Sequence, residues 1–168
     1  MADLKRKGDL AELKVAADLI DRGCRISIPF GEECNYDLIA DYEGRLHRVQ
    51  VKYTRSDGRV VVIRCRSHSL TKGKVRATKL YTAAMIDWIA VYDCTSERCY
   101  YCPSQELGAE GRNILHLRLR PALNGQRIGI REAAAYTEPD LSRDPAGGVE
   151  PAGIEPATFR VQGERSAS

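Results

Sequence analysis

The sequence lacks a long apolar run and an export signal. No stretch of its 168 residues approaches the roughly 18 consecutive apolar residues that a membrane-spanning helix requires. The amino terminus, MADLKRKGDLAELK, has no apolar segment of the kind that directs secretion. We therefore expect a cytoplasmic protein without a membrane partner, long enough to bury its own core.

Cysteine-based sites are disfavoured, although cysteine itself is present. The cysteines are Cys24, Cys34, Cys65, Cys94, Cys99 and Cys102. Without an export signal, we expect reduced thiols rather than disulfides. The Cys94, Cys99 and Cys102 run has no fourth ligand nearby, as a structural zinc site requires. Moreover, Cys99 and Cys102 are three residues apart on a predicted strand, so their side chains should point to opposite faces.

Acidic residues are nearly missing from the middle of the chain. Between Arg45 and Lys79 there are eleven Lys or Arg and one acid, Asp57, so this segment carries a net charge of +10. Such a density favours a polyanion partner, and the simpler alternative is a sheet edge that charge protects from aggregation. We favour nucleic acid, and single-stranded RNA is the less favoured kind because the sequence offers no exposed aromatic platform typical of its readers. The best candidates for phosphate contacts are Arg55, Arg59, Lys72, Lys74, Arg76 and Lys79.

The first part of the chain is predicted to be a helix. Asp9 can cap its start and Gly23 can end it. Between them, apolar residues recur at helical spacing and place Leu10, Leu13, Ala17 and Ile20 on one face.

Most of the remaining chain alternates apolar and polar residues, as strands do. We predict strands in CRISIPF, at about 36–42 and 45–53, and in VVVIRCR, IDWIAVYD, CYYCPS and ILHLRLR. A weak helical pattern covers 72–84, and short helices are expected at 104–108 and in REAAAY. This order predicts an α/β or α+β domain around a mixed sheet. From about residue 141 the sequence is rich in Pro, Gly, Ala and Ser, so we predict a domain over 1–140 and a disordered tail over 141–168.

One predicted hairpin brings three polar side chains together. A two-residue turn at Glu43-Gly44 pairs positions whose numbers sum to 87, so Asp37 faces Gln50. Lys52 lies two residues beyond Gln50 and shares its side of the sheet. The other side carries apolar residues and His47, which we interpret as a structural histidine, and Trp88 is expected in the core.

These side chains suit metal-dependent hydrolysis of a phosphodiester. A carboxylate (Asp37), an amide oxygen (Gln50) and the backbone carbonyl of Val51 are oxygen ligands of the kind that Mg²⁺ takes, and Mn²⁺ is a possible substitute. The Lys52 ammonium can orient a water or stabilise charge on the phosphorane. Glu12 stands among apolar residues near the docking face of the helix, where an acid is costly unless it is used. The alternatives are an exposed Glu12 paired with a lysine, and a surface ion pair between Asp37 and Lys52.

The motifs resemble the PD-(D/E)XK nuclease superfamily. The likeness rests on the helix glutamate Glu12, on Asp37 in NYDLIA at the start of a strand, and on QVK at the end of the next strand. Within that superfamily the chain is similar to the group I intron-encoded homing endonucleases of tRNA introns, which also carry Gln-x-Lys in the third motif. Later segments, IDWIAVYD, CYYCPS and LRPALNGQRIGIREAAAY, extend the likeness over about 8–136.

This resemblance implies a restriction-endonuclease-like core with a mixed sheet flanked by helices. It also implies Mg²⁺-dependent cleavage of both strands of DNA by a homo-oligomer, a dimer or tetramer, with catalysis by Glu12, Asp37, Gln50 and Lys52. Two departures stand out: Tyr36 replaces the motif proline, and Gln50 replaces the usual acid. The second removes a negative charge from the metal site. The alternatives are therefore a structure-selective resolvase or repair nuclease, and a DNA-binding protein with a degenerate site.

Overall fold

The fold consists of a central sheet with a helix on one face and a smaller sheet on the other. The computed structural model of the chain describes residues 2–31, 34–71, 74–121 and 128–145. One α-helix, α1, runs from Ala2 to Asp21. The strands are β1 (Arg25–Ser27), β2 (Leu38–Tyr42), β3 (Arg45–Thr54), β4 (Val60–Arg64), β5 (Arg66–Thr71), β6 (Lys74–Leu80), β7 (Trp88–Asp93), β8 (Arg98–Pro103) and β9 (Ile114–Arg118). Two 3₁₀ helices span Ser104–Leu107 and Ala133–Tyr136.

The central sheet is mixed, as the sequence predicts. Its strand order is β1-β2-β3-β7-β8. Strands β3 and β7 are parallel, and the other neighbours are antiparallel. Strands β4 and β9 form a second antiparallel sheet, and β5 and β6 form a hairpin. Among the described residues, no helix is both long and apolar enough to traverse a bilayer.

The β2–β3 hairpin has the predicted register. Tyr42 pairs with Arg45, and Leu38 pairs with Val49. The turn residues Glu43 and Gly44 have φ angles of 50° and 84°, and two consecutive positive φ angles are what a type I′ turn requires. Because side chains alternate between faces, this register decides which residues lie beside Asp37.

Helix α1 differs from the prediction in its start and in its buried face. It begins at Ala2 rather than near Asp9, so Gly8 lies inside it, and Asp3 forms ion pairs with Arg6 and Lys7 in the added turns. Its buried residues are Ala11, Val15 and Leu19. The face formed by Leu10, Leu13, Ala17 and Ile20 is exposed instead, with Leu13 at 68% and Ile20 at 56% exposure. The smaller side chains of Ala11 and Val15 allow the helix to lie close to the sheet.

Two apolar clusters cover the two faces of the central sheet. The cluster on the α1 side includes Leu38, Ala40, Val49 and Val51, as the hairpin pattern predicts. The cluster on the other side joins β7 and β8 to β4 and β9. Cys99 packs against the first cluster and Cys102 belongs to the second, so the prediction that they point to opposite faces is confirmed.

Two buried residues on the α1 side of the sheet have the roles expected of them. Trp88 is buried there. His47, opposite Ala40, is also buried, and its ring bonds the carbonyl of Leu141 and accepts a hydrogen bond from the Trp88 indole. His47 is thus a structural residue.

One stretch differs from the secondary structure expected of it. The weak helical pattern over 72–84 is wrong as a prediction of helix, because most of the stretch is strand β6, which pairs with β5. Tertiary pairing overrides a weak local preference there. At the other end, Leu141 is buried against the α1-side cluster, although it is the first residue of the predicted tail. Residues 146–168 of that tail lie outside the described part of the chain.

Candidate active site

Asp37 lies where the β2–β3 pairing ends, and its carboxylate continues the ladder. The Asp37 backbone N–H donates to the carbonyl of Val49 at 2.9 Å. Two residues further along β3, Val51 has no β2 residue opposite it, and its N–H donates instead to Asp37 Oδ2 at 2.8 Å. Because β2 ends here, the Asp37 carboxylate takes the position of the backbone acceptor that a longer β2 would supply.

Gln50 completes the contact around Asp37. It is buried, and its amide nitrogen donates to Asp37 Oδ2 and, at 3.2 Å, to the carbonyl of Val51. The predicted neighbours Asp37 and Gln50 are thus in direct contact. The Gln50 amide nitrogen therefore faces two of the predicted metal ligands, Asp37 and the Val51 carbonyl. Its own oxygen faces the site only if the amide group turns over.

Burial and the neighbouring donors have opposite effects on the pKa of the Asp37 carboxyl. Burial raises its pKa, although the Val51 N–H, the positive charge of Lys52 and the Gln50 amide all act in the opposite direction. Since Oδ2 accepts both hydrogen bonds, Oδ1 is the oxygen better placed to bind a cation or a water.

Glu12 interacts with the same site from α1. It is half-buried, next to the buried Ala11 on the helix face that packs on β3. Burial raises the pKa of Glu12, and the negative charges of Asp37 and Asp9 raise it further. The negative charges of Glu12 and Asp37 repel each other, and a divalent cation bound between them would offset this repulsion.

We expect Glu12→Gln to stabilise the protein at neutral pH. A carboxyl whose pKa is raised on folding costs stability when ionised, so the gain is present above the raised pKa and disappears below its ordinary value of 4.5. Solvent screening limits the gain to less than about 1 kcal/mol. Urea denaturation of both proteins at pH 8 and pH 4 measures it, and Glu132→Gln is the exposed control. A gain of equal size at both pH values would contradict this account.

Lys52 is anchored by a tyrosine that the sequence did not point to. Its Nζ donates to the Tyr81 hydroxyl at 3.2 Å and lies 4.9 Å from the centroid of the Tyr81 ring. Tyr81 follows β6 and is only 4% exposed. No sequence signal links positions 52 and 81, because their contact depends on the path of the whole β5–β6 hairpin.

A glycine makes room for the Tyr81 backbone. Gly111 has a φ of +82°, and a Cβ atom there would lie 2.8 Å from Leu80 Cβ and 2.8 Å from the carbonyl oxygen of Tyr81. We expect Gly111→Ala to destabilise the protein by about 2–4 kcal/mol, from positive-φ strain and steric overlap together. Gly58→Ala is the matched control, since Gly58 has a φ of +77° but open space around it. Equal losses in urea denaturation would show that crowding at Gly111 has no effect.

The predicted DNA contacts have different placements. Arg55 is exposed and donates to Cys94 Sγ, and Lys79 is exposed and donates to Asn35 Oδ1 at 2.7 Å. Lys74 and Arg76 lie on β6, where only the backbone is described, and Lys72 lies outside the described residues. Arg59 is exposed.

Arg59 also belongs to a basic cluster that the prediction missed. Together with Arg118 and Arg120, it lines a hollow of about 120 Å³ that no described acid lines. Arg118 and Arg120 lie outside the 45–79 segment, which is why the charge count did not include them.

The candidate metal centre depends on few acids. No three His, Cys, Asp or Glu side chains come together within the described ranges, so the site consists of Glu12 and Asp37 with an amide and a carbonyl. These oxygen donors fit a hard cation such as Mg²⁺ and do not suit zinc.

Comparison with known proteins shows the family of the chain. The sequence model of a family described as PD-(D/E)XK endonuclease matches residues 2–139. The chain belongs to this family. It is therefore a DNA endonuclease.

A solved structure shows the same fold. This PD-(D/E)XK endonuclease is similar to the bacterial homing endonuclease I-Ssp6803I, with a TM-score of 0.60 and 24% sequence identity over 79% of this chain and 86% of that chain. The predicted restriction-endonuclease-like fold is thus confirmed. Among curated proteins, no sequence match was found.

Proposed function

We propose that the protein is a Mg²⁺-dependent, site-specific endonuclease that cuts both strands of duplex DNA. The observation that carries the proposal is the contact of Asp37, Gln50 and Val51 at the end of β2, with Lys52 alongside and Glu12 above on α1. A surface ion pair would not need a buried amide or a tyrosine anchor.

The residues that would hold Mg²⁺ are Asp37, Glu12, the Val51 carbonyl and Gln50. When bound, the cation would lower the pKa of a water and neutralise charge on the scissile phosphate. Gln50 contributes its oxygen only after its amide turns over, because its nitrogen now faces Asp37 and Val51. Since an amide carries no charge, we expect weaker metal binding than at a site with a third acid.

Lys52 acts on the nucleophile or on the phosphate. Its ammonium group can donate to a water or to a phosphate oxygen, and it stabilises the negative charge that develops in the transition state. Such a donor is effective only when it is fixed beforehand, which the Tyr81 contact provides.

The proposed DNA contacts are the basic side chains predicted from the sequence and the arginines that cluster with Arg59. These are the predicted Arg55, Arg59, Lys72, Lys74, Arg76 and Lys79, with Arg118 and Arg120 beside Arg59. Each phosphate contact that is lost should lower the salt dependence of binding. A homo-oligomer, dimer or tetramer, would bring a second active site to the second strand, and the name of I-Ssp6803I as a homing endonuclease supports a defined target sequence.

The test is cleavage of DNA that carries a tRNA gene junction. With Mg²⁺ or Mn²⁺, we expect discrete double-strand products, and EDTA should abolish them. Cleavage of branched DNA alone would favour a structure-selective nuclease. Tight binding without cleavage in either metal would favour a DNA-binding protein with a degenerate site, for which the replacement of the usual acid by Gln50 is the specific observation.

A further inference from the structure

Lys52 has a side chain that needs an anchor. Its four-carbon stem rotates freely when exposed, and the same site contains the acid Asp37. The Lys52 charge acts on Asp37, yet the two form no ion pair among the described contacts, and Nζ bonds the Tyr81 hydroxyl instead. An ion pair with Asp37 would use the carboxylate that a cation needs.

The Tyr81 ring provides a second contact with the ammonium group. Nζ lies 4.9 Å from the ring centroid, within the range of a cation–π interaction. The hydroxyl offers an oxygen acceptor at 3.2 Å, so one side chain holds the ammonium by two different interactions.

Tyr81 itself is fixed by the backbone on both sides. Its N–H donates to the carbonyl of Cys65 at 3.1 Å, which closes the base of the β5–β6 hairpin. On the other side the chain passes so close to Gly111 that no side chain fits there. The side chain is buried in the cluster that joins the two sheets. The hydroxyl is therefore an acceptor with a defined position.

We propose that Tyr81 is a positioning residue for Lys52, holding its ammonium group beside the scissile phosphate and away from the Asp37 carboxylate. This inference depends on the proposed function, because it assigns a catalytic role to Lys52. It adds a residue outside the family motif, from an element that the motif does not include.

Tyr81→Phe tests the proposal, because it removes the hydroxyl and keeps the ring. We expect the cleavage rate of the enzyme–DNA complex at saturating Mg²⁺ to fall about 10-fold to 100-fold, as for a misplaced catalytic group. The Kd for DNA and the melting temperature should stay close to wild type. Tyr100→Phe is the matched control, since Tyr100 is equally buried in the same cluster and bonds Ser96. Equal rates for the two variants, or a loss that appears only in Kd, would overturn the proposal.

A second readout does not depend on activity. In lysine-¹⁵N-labelled protein, an anchored ammonium group gives a distinct NMR signal, which Lys52→Ala identifies. We expect this signal to broaden or disappear in Tyr81→Phe and to persist in Tyr100→Phe. A Lys52 signal unchanged by Tyr81→Phe would overturn the positioning role even if the enzyme cleaves. Conversely, no metal-dependent cleavage by the wild type would refute the proposed function, while the NMR comparison would still decide whether Tyr81 anchors Lys52.

Discussion

Replacing Asp37 with Asn is expected to slow metal-dependent DNA cleavage by at least about 100-fold. The substitution keeps the size of the side chain and an oxygen that can accept the Val51 N–H, but it removes the charge that attracts the cation. We expect higher concentrations of Mg²⁺ to restore only part of the rate, because an amide is a weaker ligand than a carboxylate. Rates of plasmid cleavage over a Mg²⁺ titration measure both effects.

Lys52→Ala should produce a similar loss for a different reason. It removes the ammonium donor and leaves the metal ligands in place, so the Mg²⁺ concentration for half-maximal rate should change little. Asp41→Asn is the control for both variants, because Asp41 lies on β2, four residues after Asp37, but forms an ion pair with Arg25. If wild type, Asp37→Asn and Lys52→Ala cut DNA equally, the roles assigned to these residues are wrong.

The geometry around Asp37 was predictable because it depends on local rules. A turn of two residues with positive φ fixes the register, and the register decides which side chains share a face. Asp37 and Gln50 are therefore neighbours before any long-range contact is considered. The same reasoning placed His47 opposite Ala40 on the buried face.

Helix α1 shows where such reasoning fails. Two apolar faces were available, one with larger side chains and one with Ala11, Val15 and Leu19, and only packing against the sheet selects between them. Glu12 was nevertheless placed correctly near the sheet, because it adjoins the face that docks.

The remaining interactions join distant segments: Tyr81 reaches Lys52 through the β5–β6 hairpin, and Arg118 joins Arg59 across the β4–β9 sheet. Single-sequence patterns contain no signal for such pairs.

Asp93→Ala is expected to cause the largest loss of stability, about 3–5 kcal/mol. Asp93 ends β7, is fully buried and pairs with Thr54 of β3. Its carboxylate accepts hydrogen bonds from the N–H and hydroxyl of Ser56, from the N–H of Thr95, and from the N–H and hydroxyl of Ser96. Alanine would leave the two donors of the buried Ser56 without this acceptor, and it would remove the contact that holds the chain two residues after β3.

The pH dependence of this loss identifies its origin. Burial alone would raise the pKa of Asp93, but the hydrogen bonds from Ser56, Ser96 and Thr95 outweigh it and lower the pKa below its ordinary value of 3.8. A carboxyl with a lowered pKa stabilises the fold above that ordinary value and loses its effect as the pH falls further. The loss of stability caused by Asp93→Ala, measured by urea denaturation, should therefore be constant from pH 8 to about pH 5 and should shrink below about pH 4.

Asp57→Ala is the control, because Asp57 also accepts two backbone N–H groups but is exposed. Water can replace its carboxylate, so the loss of stability should be much smaller. Equal losses at the two positions would mean that burial of the Asp93 network adds nothing to the stability of the strand pair that supports Lys52.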